Sequence, residues 1–223
     1  MRCWVCGRIV ARVLKKAWTK GGRIVIPPMF RPSYNIAPTQ GIVVFRAGER
    51  EWDASIMRWG LVPSWWKDAA ELPGQTFNAR AETVAEKPTF RAAFKRRRCL
   101  IPCDGFYEWK ATGAKAKQPY FIHPADPEGI FHFAGLWELW ETADGAMESC
   151  TIITTEPNTL MAGIHNRMPV ILAPEAHEEW LDPGVQGGER LARLLLPCDA
   201  VEMAAYKVGP VKGDGENLIK RII

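Results

Sequence analysis

The close spacing of glycines and prolines is the feature that most limits what this chain can fold into. The 223 residues include 19 glycines and 17 prolines, and these recur throughout the sequence, so few segments are long enough for an extended helix. The stretches between them read as short strands in hairpin order, rather than as strands alternating with long helices. This order predicts an α+β fold with antiparallel sheets. No linker-like stretch divides the chain, so we expect one domain over residues 1–223.

Local patterns predict the individual elements. Residues 41–47 and 51–59 form a predicted hairpin about Gly48, and in its second arm Trp52, Ala54 and Ile56 alternate with their neighbours, which predicts one apolar face. Further strands are predicted over residues 99–101, 106–110, 119–123, 130–134, 136–141, 149–154 and 169–172. Helices are predicted over residues 88–97, after Pro157, and near residues 174–181 and 189–196.

Composition excludes several classes of protein. With 47% hydrophobic and 24% charged residues, the chain is neither disordered nor collagen-like. No apolar run approaches the roughly 18 to 20 residues of a membrane span, and the first residues lack the apolar stretch of a signal peptide. We therefore expect a cytoplasmic protein with no membrane partner. The net charge of +4 permits a polyanionic partner without requiring one, and the six cysteines are expected to be thiols.

Cys6, followed by Gly7 and Arg8, is the first candidate for chemistry. An internal cysteine beside a glycine is most often a buried apolar residue. At a true N-terminus, however, a cysteine carries an amine and a thiol two carbons apart, and this pair can close a five-membered ring on an aldehyde. The second interpretation requires that the five residues before Cys6 be absent.

Two segments offer groups that suit a phosphate or a sugar. Asn78 and Arg80 alternate, so on a strand they share a face and present an amide beside a planar cation; a loop amide with a solvated arginine is the alternative. The densest positive run of the chain consists of Arg91, Lys95, Arg96, Arg97 and Arg98. Such a run is either a solvated helix face or a stripe that follows phosphates.

Trp65 and Trp66 are adjacent indoles in a predicted loop, after Pro63 and Ser64. The chain has 10 tryptophans, and most are expected in the core. A loop, unlike a strand, can turn one or both of two adjacent indoles outward, where they stack on unpaired bases. Core packing and base stacking are equally consistent with this pair.

Glu108 and His165 are the candidate acid–base groups. Glu108 lies between aromatic residues that can exclude water from a carboxylate and suit it to proton transfer near neutral pH, although a surface charge on a strand edge is the alternative. His165 lies in a predicted loop between a helix and a strand, a setting that often carries catalytic groups. The other three histidines, His123, His132 and His177, are read as structural or exposed.

A zinc site is a competing interpretation of the cysteines. Cys3 and Cys6 are separated by two residues, and Cys99 and Cys103 by three, which are zinc-like spacings. The second pair, however, brackets apolar residues and a proline. We therefore predict neither a metal nor another cofactor.

Taken together, these stretches resemble the SOS-response-associated peptidase (SRAP) family, whose members shield abasic sites in single-stranded DNA. Several motifs occur in one order, which makes the resemblance specific. The motifs are Cys6-Gly7-Arg8, Tyr34-Asn35-Ile36-Ala37-Pro38-Thr39-Gln40, Met57-Arg58-Trp59-Gly60-Leu61-Val62-Pro63-Ser64-Trp65-Trp66, Phe77-Asn78-Ala79-Arg80-Ala81-Glu82-Thr83, residues 94–110, Ile152-Ile153-Thr154-Thr155-Glu156-Pro157-Asn158, and His165-Asn166-Arg167-Met168-Pro169.

The resemblance implies a single α+β domain of strongly bent, barrel-like antiparallel sheets with a few peripheral helices, around a basic groove. It implies that Cys6, once N-terminal, forms a thiazolidine with an abasic deoxyribose. Asn78 would position the cysteine end or the sugar, Glu108 would relay protons, and His165 would assist ring opening. The residues that the resemblance assigns to DNA are Arg8, Asn35, Trp65, Trp66, Arg80, Arg91 and Arg97. The implied partner is single-stranded DNA with abasic sites, bound by a monomeric, bacterial or prophage-encoded protein associated with the nucleoid.

The chain departs from the family pattern at its beginning. Residues 1–5 precede Cys6, whereas the family usually places this cysteine directly after the initiator methionine. Three explanations remain open: translation starts at the position of Val5, the extension is removed by self-cleavage, or the extension is retained and covalent chemistry is lost. In the last case the chain is a non-covalent single-stranded-DNA binder. The basic residues between Gly7 and Ser33 either extend the DNA groove or pack differently, and the segment after Val208 resembles the family only loosely.

Overall fold

A computed structural model describes residues 7–12, 18–19, 22–23, 27–48, 52–68, 70–74, 76–113, 116–143, 145–186 and 188–223. The strands in these ranges are β1 Ile9–Ala11, β2 Trp18–Thr19, β3 Gly22–Arg23, β4 Ser33–Ile36, β5 Gly41–Ala47, β6 Trp52–Trp59, β7 Asn78–Arg80, β8 Arg98–Cys103, β9 Gly105–Ala111, β10 Lys117–Pro124, β11 Phe131–Thr142, β12 Gly145–Thr155, β13 Met168–Pro169 and β14 Met203–Lys207. The helices are α1 Arg91–Arg96, α2 Thr159–Ala162, α3 His177–Leu181 and α4 Gly188–Arg193, with 3₁₀ turns at Pro174–Ala176, Ala200–Glu202 and Glu216–Ile219.

Five strands close into a ring. β5 pairs with β6 and β8, β8 pairs with β11, β11 pairs with β12, and β12 returns to β6. The closing β12–β6 pairing is parallel, as is the pairing of β12 with β7, whereas the other pairings of the ring are antiparallel. The prediction of bent, barrel-like and mainly antiparallel sheets with few helices is therefore confirmed.

A second sheet, in the order β14-β10-β9-β1-β4, packs against this ring. Phe106 on β9 contacts Phe131 and Phe133 on β11, with ring centroids 6.2 and 5.7 Å apart. The opposite face of the sheet carries its own small core, where Tyr107 and Phe121 meet apolar residues of the C-terminal segment. The second sheet is thus packed on both faces.

One detail of the predicted strands is wrong and another is incomplete. The stretches predicted over 130–134 and 136–141 form one strand, because Gly135 does not interrupt β11: a Cβ there would lie 2.8 Å from Ile101 Cδ1, so close packing requires this glycine. On β6, Met57 and Trp59 are the buried residues, whereas Trp52, Ala54 and Ile56 of the predicted apolar face are half-buried and pack against the core. Both faces of β6 are packed, because the imidazole of His177 lies against the indole of Trp52 with ring centroids 5.7 Å apart. Alternation of side chains along β6 therefore does not show which of its faces is the more deeply buried.

No helix within the described ranges is both long enough and apolar enough to cross a membrane.

Candidate functional site

The site begins where the chain after Cys6 enters the second sheet. Cys6 lies outside the described residues, and Gly7 is the next residue along the chain. From Arg8 onward the backbone is held by β9, because the Tyr107 amide donates to the Arg8 carbonyl at 3.0 Å and Ile9 pairs with Phe106. On the other side, Ile9 pairs with Ile36 of β4. The segment that follows the candidate nucleophile is therefore fixed between two strands.

Glu108 lies on the strand that pairs with this segment. Its side chain is 1% exposed, so the interpretation as a surface charge is wrong. The side chain of Glu108 lies on the same face of β9 as that of Phe106, whereas Tyr107 lies on the opposite face. Tyr120, the cross-strand neighbour of Glu108, shares this face, and both Phe106 and Tyr120 contribute to the main core. The carboxyl group therefore faces the ring, and the small core lies on the other side of the sheet.

Asn78 and Arg80 lie on β7, which continues the ring beside β12. Asn78 is in register with Ile152, and Arg80 with Thr154, so the predicted strand over these two residues is present. The preceding carbonyl, of Phe77, accepts hydrogen bonds from the Ile152 amide at 3.0 Å and from the Trp59 indole at 2.9 Å. Asn78 is half-buried and Arg80 is exposed, which suits a contact with a sugar and a contact with a phosphate, respectively.

His165 follows α2 and lies in a loop, as predicted. Its amide donates to the Met161 carbonyl at 2.8 Å, and the residue is 7% exposed. The Arg167 amide donates to His165 Nδ1 at 3.2 Å. Nδ1 also lies 3.4 Å from the Arg167 carbonyl, but the amide is an obligatory donor, so Nδ1 accepts and the neutral ring carries its proton on Nε2.

Burial is the main reason why the pKa of His165 lies below its usual value. The positive charges of Lys117 and Arg167 lower this pKa further, while the proximity of the Arg167 carbonyl to Nδ1 opposes the shift. The imidazole is therefore neutral at pH 7, with its proton on Nε2.

Arg167 is a site residue to which the sequence analysis gave no role. Its Nη2 atom donates to Glu82 Oε2 at 3.0 Å and to Thr154 Oγ1 at 3.3 Å, and Arg167 also bonds the Thr154 carbonyl. The hydrogen bond from Arg167 is the main reason why the pKa of Glu82 lies below its usual value. Arg167 thereby holds the His165 loop against the end of β12, beside Arg80. Its signal in the sequence was its place in the His165-Asn166-Arg167-Met168-Pro169 motif.

The loop after β6 presents one indole and buries part of the other. Trp65 is 55% exposed. Trp66 is anchored, because its indole N–H donates to the Asp68 carbonyl at 2.9 Å and its own carbonyl accepts from the Trp140 indole at 2.7 Å. The two rings are tilted by 51° with centroids 6.0 Å apart. Because Leu61 at the start of this loop bonds the Thr76 carbonyl, the loop begins beside the segment that leads into β7.

The remaining predicted DNA contacts differ in accessibility. Arg8 is half-buried, with its guanidinium 2.8 Å from the Gly7 carbonyl, and Arg91 is exposed at the start of α1. Asn35 is half-buried and donates to the Gly213 carbonyl at 2.7 Å. Arg97 is paired with the buried carboxylate of Glu138 at 2.7 Å, which leaves it less available for a phosphate.

The basic run around α1 is therefore not one continuous stripe. Arg91, Lys95 and Arg96 are exposed, whereas Arg98 is 2% exposed and belongs to the core. A cationic side chain enters the core here because backbone carbonyls surround its guanidinium. The charge pattern of the sequence alone did not distinguish these two groups.

The zinc interpretation fails for the described pair of cysteines. Cys99 and Cys103 lie four residues apart on the continuous strand β8, which separates their Cα atoms by about 13 Å, too far for one metal ion. Burial raises the pKa of both thiols well above its usual value, so both are protonated at neutral pH. No cluster of metal-ligating side chains is found within the ranges that the structure describes.

Comparison with known proteins now decides the family. The family model described as SOS response associated peptidase (SRAP) matches residues 5–212 of the chain. The chain belongs to the SRAP family. This confirms the resemblance that the motifs had indicated.

Similar proteins come from bacteria, a phage and eukaryotes. The chain is 45% identical over 189 residues to abasic site processing protein YoaM of Bacillus subtilis, covering 84% of the chain and 82% of that protein. It is 44% identical over 189 residues to abasic site processing protein YoqW of Bacillus phage SPbeta, covering 84% of each. It is 32% identical to abasic site processing protein HMCES of Rattus norvegicus, covering 96% of the chain and 74% of that protein.

Among solved structures, a protein from Bacteroides thetaiotaomicron superposes with a TM-score of 0.85 at 29% identity, covering 97% of this chain and 99% of its own. A phage-related protein of Bordetella bronchiseptica superposes with a TM-score of 0.69 at 28% identity, covering 91% of this chain and 94% of its own. The closed ring and the packed second sheet are therefore the SRAP fold.

Proposed function

We propose that this SRAP protein binds single-stranded DNA and captures abasic sites covalently through Cys6, once that residue is N-terminal. One observation carries the proposal: the chain that follows Cys6 pairs with β9, the strand that bears the buried carboxyl of Glu108. The names of its relatives, abasic site processing proteins, support the substrate.

The reaction uses the two nucleophiles of a terminal cysteine in turn. The Cys6 amine adds to the C1′ aldehyde of the ring-opened deoxyribose, and loss of one water gives an imine. The Cys6 thiol then adds to the imine carbon, its proton passes to the nitrogen, and a five-membered thiazolidine closes. Because the thiol must leave before the imine can be hydrolysed, the closed ring is a durable tether and turnover is limited.

Glu108 and His165 assist the proton transfers in this scheme. Glu108 takes a proton from the Cys6 ammonium, which frees the amine lone pair for attack. His165, neutral because its pKa is lowered by burial, holds the sugar ring oxygen by a hydrogen bond from Nε2, and the proton of the C1′ hydroxyl passes to that oxygen as C1′ opens to the aldehyde. Asn78 hydrogen-bonds the sugar or the cysteine end, and it has a fixed backbone from which to do so.

Recognition falls on phosphates and on neighbouring bases, since an abasic site has no base edge to read. Arg8 and Arg80 bind phosphates, and Trp65 stacks on a base next to the lesion. Asn35, Trp66 and the exposed residues of the α1 run, including Arg91, contribute to the rim of this surface. Such binding is sensitive to salt and tolerant of sequence.

The N-terminal amine of Cys6 must be exposed before any of these steps. Hydrolysis of the Val5–Cys6 peptide bond consumes one water and yields the Val5 carboxylate and the Cys6 amine, and we assign this self-cleavage to the same Cys6, Glu108 and His165 set. Translation that starts at the position of Val5, followed by removal of the initiator residue, also yields a chain whose N-terminal residue is Cys6. The relatives in Bacillus and in a Bacillus phage are consistent with a role in a bacterial or prophage DNA-damage response.

The test is a denaturing gel of the protein mixed with an oligonucleotide that carries one abasic site. A chain that begins at Cys6 is expected to give a shifted band that survives denaturation, and Cys6→Ala is expected to abolish it. Cys198→Ala is the matched control, since Cys198 is a half-buried thiol that packs beside Met203. Intact mass of the freshly expressed full-length protein shows which residue carries the amine.

Absence of the band with the chain that begins at Cys6 would refute covalent capture. If that chain still bound intact and abasic strands equally, with affinity unaffected by Cys6→Ala but weakened by Arg80→Ala, the protein would be a non-covalent single-stranded-DNA binder.

A further inference from the structure

One asparagine contacts both ends of the loop that carries His165. This loop lies between α2, which ends at Ala162, and β13, which begins at Met168. α2 has only four residues, and a helix of this length is not stable without tertiary contacts. The position of His165 therefore depends on the contacts that fix α2 and Met168.

Asn158 is the N-cap of α2 and fixes the first end of the loop. Its Oδ1 atom accepts a hydrogen bond from the Met161 amide at 3.0 Å, which satisfies an amide that the helix itself leaves without a partner. The Met161 carbonyl in turn accepts from the amides of Ile164 and His165, each at 2.8 Å. Met161 thus links the side chain of Asn158 to the backbone of His165.

Asn158 also contacts the second end of the loop. Its backbone amide donates to Met168 Sδ at 3.3 Å, a weak acceptor, and the Met168 side chain is fully buried. The chain therefore leaves Asn158 through α2, passes His165 and returns to Asn158 at Met168.

A third contact anchors Asn158 to a part of the chain outside this loop. Its Nδ2 atom donates to the Cys198 carbonyl at 3.1 Å and lies 3.3 Å from the Sδ atom of Met203, where β14 begins. The side chain thus uses its acceptor for α2 and its donor for the segment that leads into β14. An apolar side chain can make neither contact, whereas the hydroxyl of a serine can still cap α2.

We propose that Asn158 is a positioning residue for His165: it holds the His165 loop between Met161 and Met168, so that Nε2 of His165 meets the sugar ring oxygen. This inference rests on the proposed function, because it takes opening of the sugar ring as the step that His165 assists. Asn158 acts through His165 and has no part in the steps that follow ring opening.

The first measurement follows the imidazole of His165 by NMR across pH, with its signals identified by their loss in His165→Gln. The pKa of His165 lies below its usual value mainly because of burial, and the charges of Lys117 and Arg167 lower it further. Asn158→Ala changes no charge, so release of the loop is expected to raise this pKa towards its usual value of about 6.5. Asn217→Ala, which replaces an exposed asparagine outside this loop, is the matched control and is expected to leave the pKa unchanged.

The second measurement compares crosslinking rates on two oligonucleotides, with a chain that begins at Cys6. One oligonucleotide carries an abasic deoxyribose, and the other carries an acyclic aldehyde that has no hydroxyl with which to close a ring. Asn158→Ala is expected to slow crosslinking about 10- to 100-fold on the abasic site and less than about 2-fold on the acyclic aldehyde, because the second substrate bypasses ring opening. A variant that merely contained less folded protein would slow both reactions equally.

Asn158→Ser is expected to lie between wild type and Asn158→Ala in both measurements, because it keeps the cap of α2 and loses the amide donor. If Asn158→Ala does not fold, Asn158→Ser decides by the same criteria. The proposal is overturned if the variant leaves the pKa of His165 unchanged, or if it slows both substrates equally while His165→Gln slows only the abasic one. If no crosslink forms, or if His165→Gln also slows both substrates equally, it is the proposed function that fails, and the titration of His165 alone decides whether Asn158 holds the loop.

Discussion

Replacement of Arg98 by methionine tests how the core tolerates a buried cation. All five N–H groups of the Arg98 guanidinium have a backbone carbonyl to bond. The distances are 2.6 Å from Nε to Trp180 O, 2.8 Å from Nη1 to both Phe94 O and Lys95 O, and 3.0 Å from Nη2 to Val185 O, with Asp182 O as the fifth acceptor. These carbonyls lie at or just beyond the carboxyl ends of α1 and α3, where helices leave carbonyls without partners.

Methionine fills similar space but donates nothing, so Arg98→Met leaves these carbonyls without their donor. Each hydrogen bond to a charged group contributes about 1.5 to 3 kcal/mol, but the losses are not additive, because water reaches some of the carbonyls once the side chain is shortened. Each carbonyl that is left buried without a partner costs about 1 to 3 kcal/mol. We therefore expect a loss of about 4 kcal/mol, or a fall in Tm of roughly 8 to 16 °C for a chain of this size.

Urea unfolding followed by circular dichroism measures this loss, and the thermal midpoint provides a second value. Arg96→Met is the matched control: Arg96 belongs to the same basic run but is exposed, so its replacement is expected to change stability by less than about 0.5 kcal/mol. Arg98→Lys, with three donors, is expected to fall between the two. If Arg98→Met unfolded at the same urea concentration as Arg96→Met, the reasoning that Arg98 caps two helices would be refuted.

Three further results are expected. Burial, and to a lesser extent the charge of His177, lowers the pKa of His132 to about 3. Below about pH 6.5 the unfolded chain binds a proton that the folded protein excludes, so the free energy of unfolding should fall by about 2 kcal/mol between pH 7 and pH 5. Equal urea midpoints at the two pH values would contradict this. Trp65→Ala should weaken single-stranded-DNA binding about 5- to 100-fold in anisotropy without changing Tm, whereas an unchanged Kd would remove Trp65 from the interface. Arg167→Gln removes a positive charge that lowers the pKa of His165, so the acidic limb of the crosslinking rate should move to higher pH, and a superimposable pH profile would argue against this coupling.

The strands were the most predictable part of the fold. The hairpin of β5 and β6 was located to within a residue at each end, because its signals are local: alternating side chains and a central Gly48. The closure of the ring was not predictable in this way. It depends on a parallel contact between Trp59 and Cys150, residues far apart in the sequence, and no local pattern encodes which distant strand completes a barrel.

The candidate site shows the same division. The motifs predicted Asn78, Glu108 and His165 as site residues, and that assignment stays a prediction. The burial of Glu108 agrees with its aromatic neighbours in the sequence, whereas no local pattern indicated the contacts that hold the His165 loop. Arg167 escaped notice because its part is to hold other groups: it joins Glu82, which lies 85 residues away in the sequence, to Thr154 at the end of β12. The charge run around α1 misled for a related reason, since only packing distinguishes exposed Arg96 from buried Arg98.

The placement of Gly7 and Arg8 bears on the capture that we propose for Cys6. Terminal residues normally pay a large entropic cost to be held in a reactive geometry. Here β1 is only three residues long, but it is paired on both sides, with Ile36 on one strand and Phe106 on the other. The register of these pairings also sets which side chain of β9 faces the ring, because a shift of one residue would exchange Glu108 for Tyr107 or Trp109. A substitution that weakens the β1–β9 pairing should therefore slow capture while leaving DNA affinity nearly intact, which separates the positioning of the nucleophile from the binding of the strand.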